Sequence, residues 1–127
     1  MATLTQTLPE QGGSYALSAA QTGNGDSTNT ANRGAIRVGQ AGAVVITTTV
    51  GATPTVTVQI LGSVDGTNFY KVAYALVATP ETVAVADITI TTAVTTTYLL
   101  RPNHSWQYLK LNYSANTNVT LTATAFA

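Results

Sequence analysis

Residues 55–74 read Thr-Val-Thr-Val-Gln-Ile-Leu-Gly-Ser-Val-Asp-Gly-Thr-Asn-Phe-Tyr-Lys-Val-Ala-Tyr, and this stretch decides the fold. Val56, Val58 and Ile60 fall at every second position, so an extended chain places them on one face. Thr55, Thr57 and Gln59 take the other face. Asp65-Gly66 follows, and glycine adopts positive φ without steric cost. Apolar character resumes at Phe69 and Tyr70. The reading is strand, tight turn, strand, with Asp65 and Gly66 as turn residues.

Working outward from this hairpin, the chain from Gly34 onward is strand after strand. Short runs at 35–38 and 43–50 precede it, with a turn expected at 51–54. Strands are expected at 55–63, 67–76, 82–90, 95–101, 106–113 and 118–126. Breaks fall at Thr79-Pro80, 91–93, 102–105 and 114–117. About eight strands at regular spacing, with no convincing helix, specify an all-β antiparallel β-sandwich or jelly roll. Threonine makes up about a fifth of the chain and favours strands in the same way.

Residues 1–33 differ and are expected to be an extended N-terminal arm, with the β-sandwich domain occupying 34–127. Their apolar anchors are few: Leu4, Leu8, Tyr15 and Leu17. Ordering ~30 residues costs ~1–2 kcal/mol each, while each buried anchor returns ~1.5–3 kcal/mol. Backbone pairing with a sheet is therefore required, on the same domain or on a neighbour. If the neighbour supplies it, Leu4, Leu8, Tyr15, Leu17 and Arg33 form an interface, and deleting 1–33 leaves a folded domain that assembles poorly.

Composition narrows the function. The 127 residues fit one domain. Cysteine is absent, so disulfides and thiolate metal sites are excluded. Net charge is zero and only 8% of residues are charged. Arg33, Arg37, Lys71, Arg101 and Lys110 are scattered, which argues against nucleic-acid binding. A charge-poor surface suits a protein covered by neighbours. No apolar run approaches the ~20 residues of a membrane span, and the start Met-Ala-Thr-Leu-Thr lacks secretion-signal character.

Catalytic constellations do not assemble either. His104 is the lone histidine and has no nucleophile or carboxylate nearby in sequence. The acids are Glu10, Asp26, Asp65, Glu81 and Asp87, with no evident catalytic pair. Asn24, Asp26 and Ser27 offer oxygens for calcium at a spacing that matches no EF-hand. No catalytic, cofactor or metal residue is assigned. Trp106 and Tyr108 share one face of their strand, expected to serve packing or an intersubunit contact; an aromatic platform for sugars is the alternative.

Residues 58–72, with Thr-Tyr-Leu-Leu-Arg-Pro at 97–102 and Tyr-Leu-Lys-Leu-Asn-Tyr at 108–113, resemble small structural proteins of tailed bacteriophages. Those proteins pair a Gln … Ser-x-Asp-Gly-x-x-Phe/Trp hairpin with a later strand reading Tyr-Leu-x-Leu-x-Tyr. The likeness covers about 43–126. Discoidin-type sugar-binding domains use a similar hairpin, but the chain lacks their cysteine pair and is shorter. The phage resemblance implies a non-enzymatic capsid decoration, or cement, protein. Its partners would be the major capsid protein and copies of itself, with a trimer favoured and no nucleic acid or membrane. It would be made in the host cytoplasm and would lie on the outer capsid surface. The alternative is a tail, neck or fibre component, or a carbohydrate-binding module.

Overall fold

Two long strands pair with each other along almost their entire length and carry every other strand but one, which is held through a neighbour. The computed structural model describes residues 14–27, 36–37, 42–100 and 106–126. Nine antiparallel strands occur among them: β1 (Ser14–Gln21), β2 (Gly25–Asp26), β3 (Ile36–Arg37), β4 (Ala43–Ser63), β5 (Tyr70–Lys71), β6 (Tyr74–Leu76), β7 (Ile88–Ile90), β8 (Thr95–Leu100) and β9 (Tyr108–Phe126). There is no helix among the described residues. The all-β antiparallel class read from the sequence is what the chain adopts.

The main path of the sheet is β1-β9-β4-β8-β6; β2 and β3 also pair β9, and β5 and β7 also pair β4. β4 and β9 run antiparallel from Ala43↔Phe126 to Ser63↔Tyr108. Their inward positions keep one parity throughout. In β4 these are Val44 and Ile46, then Val56, Val58 and Ile60; in β9, Leu109, Leu111 and Tyr113, then Val119, Leu121 and Ala123. One face of the ribbon is therefore apolar on either side of an exposed middle at 49–53 in β4 and 114–118 in β9. All these side chains join one buried cluster. Together with side chains of β1, β7 and β8 they make a single core. Ser18 Oγ on β1 and the Tyr113 hydroxyl on β9 lie 2.9 Å apart.

The bend lies where turns were expected. The register shifts between Val50↔Val119 and Thr55↔Thr117, and again before Thr57↔Ser114. Thr53, Ala115 and Asn118 have φ of 46°, 52° and 56°. Asn118 Nδ2 donates to Ala52 O at 2.6 Å across the bend. Residues 51–54 and 114–117 thus do not reverse the chain. They are bulges that swing the ribbon while leaving it paired.

Two further findings bear on the expected elements. The stretch 67–76 is not one strand. β5 pairs only with Leu61 and Gly62, whereas β6 pairs with β8. The hairpin is real but short, and the partner of Val56–Val58 is β7. Secondly, the described part of the expected arm pairs with the sheet of its own chain. β1 pairs with β9 from Ser14↔Phe126 to Gln21↔Leu121, and β2 pairs with Tyr113 and Asn112. The part of the arm that is described is an integral edge of the chain's own sheet, because backbone pairing supplies what its few apolar anchors could not.

Candidate interaction surfaces

Two surfaces stand out, and the first grows from the Asp65-Gly66 turn. Ser63 Oγ accepts from the backbone N–H of Gly66 at 2.8 Å and donates to Asp65 Oδ1 at 2.9 Å. Asp65 Oδ1 also accepts from the N–H groups of Asn68 at 2.9 Å and Thr67 at 2.8 Å. Asn68 Nδ2 donates to Asp65 Oδ2 at 3.1 Å. These donors, the Asn68 amide foremost, hold the carboxyl well below the usual carboxylate range. Gly66 has φ +81°, the conformation for which glycine is needed. The aspartate ties the loop together and its acceptor capacity is spent there.

Aromatic rings gather around this turn. Tyr108 lies over Gly66, and the Trp106 ring lies over Gly62, which leaves no room for a Cβ. Trp106 packs against the core, and Tyr70 stands beside it with ring centroids 6.3 Å apart and planes tilted by 32°. Lys110 Nζ sits 4.2 Å from the centre of the Phe69 ring and 3.0 Å from Asp26 Oδ2. The expected pair Trp106 and Tyr108 is thus brought together with Phe69 and Tyr70, at the end of the β4–β5 hairpin. Tyr70, 60% exposed, is the ring most available to a partner. Tyr113 is buried in the core, and burial pushes its hydroxyl up to about 12.

The second surface was not singled out from sequence. Leu76, Val77, Val83 and Val85 are exposed along the β6 side of the sheet. Beside them an open groove of about 630 Å³ is lined by Tyr74, Ala75, Pro80, Val83, Leu99 and Leu100. Tyr74 stacks edge-on against Tyr98 at 5.5 Å. The sequence leads one to expect a strand over 82–90. Only Ile88–Ile90 joins the ladder fully, while Ala84 makes a single bridge to Tyr74. Alternation marks an extended chain; it does not say which side is covered.

The remaining interface candidates fall as follows. Leu17 is fully buried in the core of the single chain. Tyr15 lies in β1 opposite Ala125. Leu4, Leu8, Arg33 and His104 lie outside the described residues. The oxygens weighed for calcium serve β9 instead. Asp26 takes Lys110 on one oxygen and Asn112 Nδ2 on the other, both at 3.0 Å. Asn24 Oδ1 accepts from the Asn116 N–H at 2.9 Å, and Ser27 Oγ accepts from the Leu111 N–H at 3.2 Å.

No family model matches the sequence, and no curated protein matches it. Among solved structures, the chain is similar to the crystal structure of the SPBc2 prophage-derived protein YomS. The likeness has a TM-score of 0.59 at 10% identity and covers 97% of this chain and 98% of the other. At that identity it speaks to the fold.

Proposed function

We propose that the chain is a non-enzymatic structural component of a bacteriophage particle, acting as a cement protein on the outer face of the head. One observation carries the reading: the fold is shared over nearly the whole of both chains with a protein of prophage origin. The phage-like hairpin motif at 58–72 and the 8% charged composition support it from the sequence side. The exposed apolar strip along β6 offers contact area of the kind a lattice partner covers. In this reading many weak contacts to the major capsid protein, engaged together, hold the shell against internal pressure.

The test is direct. Virions are purified, washed in high salt and run on a gel. A 13.1 kDa band in copy number comparable to the major capsid protein is expected. Its absence overturns the reading, and a few copies per particle would move the protein to the neck or tail.

One observation favours a second reading, a glycan-binding module. The Tyr70 ring, 60% exposed, stands beside Trp106 at the hairpin tip. Glycan-array binding lost in Tyr70→Ala supports it. No binding to any glycan removes it.

A further inference from the structure

Charge is distributed unevenly along the β4–β9 ribbon. Among the described residues, every charged residue except Glu81 lies on or beside the strands that pair at 56–63 and 108–113. Charges offset one another there, Lys110 against Asp26 at 3.0 Å and Lys71 against Asp87 at 2.8 Å. Beyond the bend, β1, β8, residues 43–50 of β4 and residues 119–126 of β9 carry none. Val44, Ile46, Leu121 and Ala123 of this part are buried, so the alternate positions form the opposite, outer face. Its rows run across three strands. Thr122, Thr47 and Thr95 make one, and Thr124, Val45 and Thr97 the next. Phe126, Ala43 and Leu99 make the last. Thr47, Thr95 and Thr122 are exposed, and Phe126 is 40% exposed. Leu99 is also a wall of the groove that Pro80 and Val83 line, so face and groove are continuous.

We propose that this uncharged face, with the groove at its end, is the surface that seats on the capsid shell. The inference rests on the cement reading and adds which side of the chain makes the contact. Two features select a separately folded shell protein over a second copy. Faces that hold permanent copies of one chain together are mostly apolar, like a core cut in two. Hydroxyl groups dominate here, and Thr47 Oγ1 and Thr95 Oγ1 already lie 3.1 Å apart as a hydrogen-bonded pair. Size points the same way. From residue 43 to 49 the face is ~20 Å long, and three strands ~5 Å apart make it ~10 Å wide. An area that small holds one partner weakly, which suits attachment that gains its strength from many sites on a lattice. The partner surface that fits is one of hydroxyl, amide and small apolar groups, since a charge on either side would be buried without a counterpart. The charged end of the ribbon is left in water.

The test is attachment to particles. Virions are assembled with wild type, Thr47→Lys, Thr122→Lys, Thr47→Val or Thr89→Lys. They are washed at about 0.1 M and about 1 M salt, and the ratio of this band to the major capsid protein is compared. Thr89 is exposed on β7 opposite Thr57, at the charged end. Both outer-face lysines are expected to lower the ratio at least about tenfold, because each buries an unpaired charge. Thr47→Val and Thr89→Lys keep the wild-type ratio, and wild type keeps it at either salt. Circular dichroism of the purified variants checks that the fold is unchanged. Hydroxyl-radical footprinting of wild type needs no variant: oxidation of Phe126 falls on attachment and that of Tyr70 does not. If wild type is on the particle and the two outer-face lysine variants are equally abundant, this proposal fails and the cement reading stands. Release of wild type at high salt, shedding of Thr89→Lys, or protection of Tyr70 in place of Phe126 has the same effect. Self-association of free wild type that Thr47→Lys abolishes also overturns it, assigning the face to a second copy. Wild type absent from heads overturns the cement reading and this inference with it.

Discussion

Gly62 is the residue where a single methyl group does most damage. A Cβ there would sit 2.8 Å from the Trp106 ring and 2.8 Å from Val72 Cγ2. Both neighbours belong to the packed core, so neither moves freely. Gly62→Ala is expected to cost about 1–3 kcal/mol as overpacking. Urea unfolding measures the cost, and Trp106, the sole tryptophan, reports displacement through its emission. Gly66→Ala fails for a different reason. At φ +81° its cost is conformational, about 1–2 kcal/mol, since the nearest ring atom of Tyr108 lies at an ordinary 3.4 Å. The Asp65-Gly66 turn was legible in the sequence because a turn needs only local residues. Gly62 was not, because the ring that requires it is 44 positions away. Asp65 also sets an acid limit. Its carboxyl is held below its ordinary 3.8, so the unfolded chain binds its proton first as pH falls. That stability is fully present above 3.8 and is lost as pH drops through the lower folded value. Asp87 is depressed in the same direction, chiefly by its hydrogen bond with Lys71. Urea midpoints followed down to about pH 2.5 should therefore fall below about pH 4. Asp65→Asn should flatten the slope without abolishing it, Asp87 remaining. A slope unchanged in Asp65→Asn would refute this account.

At the scale of elements, β4 and β9 define the molecule, and the sequence disguised their length. Gly51, Pro54, Asn116 and Asn118 are turn residues by type, but type reports tolerance of unusual φ, not the direction in which the chain leaves. A reversal and a bulge ask for the same amino acids. The signal that separates them is parity. Buried positions are even before and after residues 51–54 and odd before and after 114–117, as one shared face requires. Strand existence and inward faces were readable, whereas strand continuity lay in a long-range phase relation. Asn118 tests the bend. It combines φ 56° with the 2.6 Å hydrogen bond to Ala52 O, and residue 51 lies directly beneath its side chain. Asn118→Ala loses the bond and keeps the strain, and should cost about 1–2 kcal/mol in chemical denaturation. Asn118→Gly loses the bond but relieves the strain, and should be the milder change. If the two variants were equal, or alanine were harmless, the left-handed residue would not be what holds the bend.

For the whole molecule, the question is where the folded unit begins. Residues 1–33 read as a separate arm, and their four anchors, Leu4, Leu8, Tyr15 and Leu17, cannot by themselves offset the ordering of ~30 residues. The count therefore called for backbone pairing with a sheet, and a sequence does not say whether that sheet is the chain's own or a neighbour's. β1 pairs along the C-terminal part of β9, and its Ser18 reaches Tyr113 farther back along the same strand. Ser18 Oγ donates to Gln21 Oε1 at 2.9 Å, and Gln21 Nε2 donates to Asp26 O at 3.1 Å. Leu17, fully buried, plugs the same core. Removing residues 1–33 would expose the β9 edge, open a cavity at Leu17 and take a hydrogen-bond partner from the Tyr113 hydroxyl. Leu17→Ala alone should cost about 2–5 kcal/mol by the usual scale for a buried leucine. The truncated chain 34–127 should lose more than that. It is expected to aggregate or to lack a cooperative urea transition, well before any question of assembly arises. A deletion of 1–13 spares every residue of β1 and should keep the transition. Circular dichroism and urea melts of the two truncations decide the matter. If 34–127 unfolds cooperatively at the full-length midpoint, β1 is an accessory to the fold and the boundary belongs at 33/34 after all.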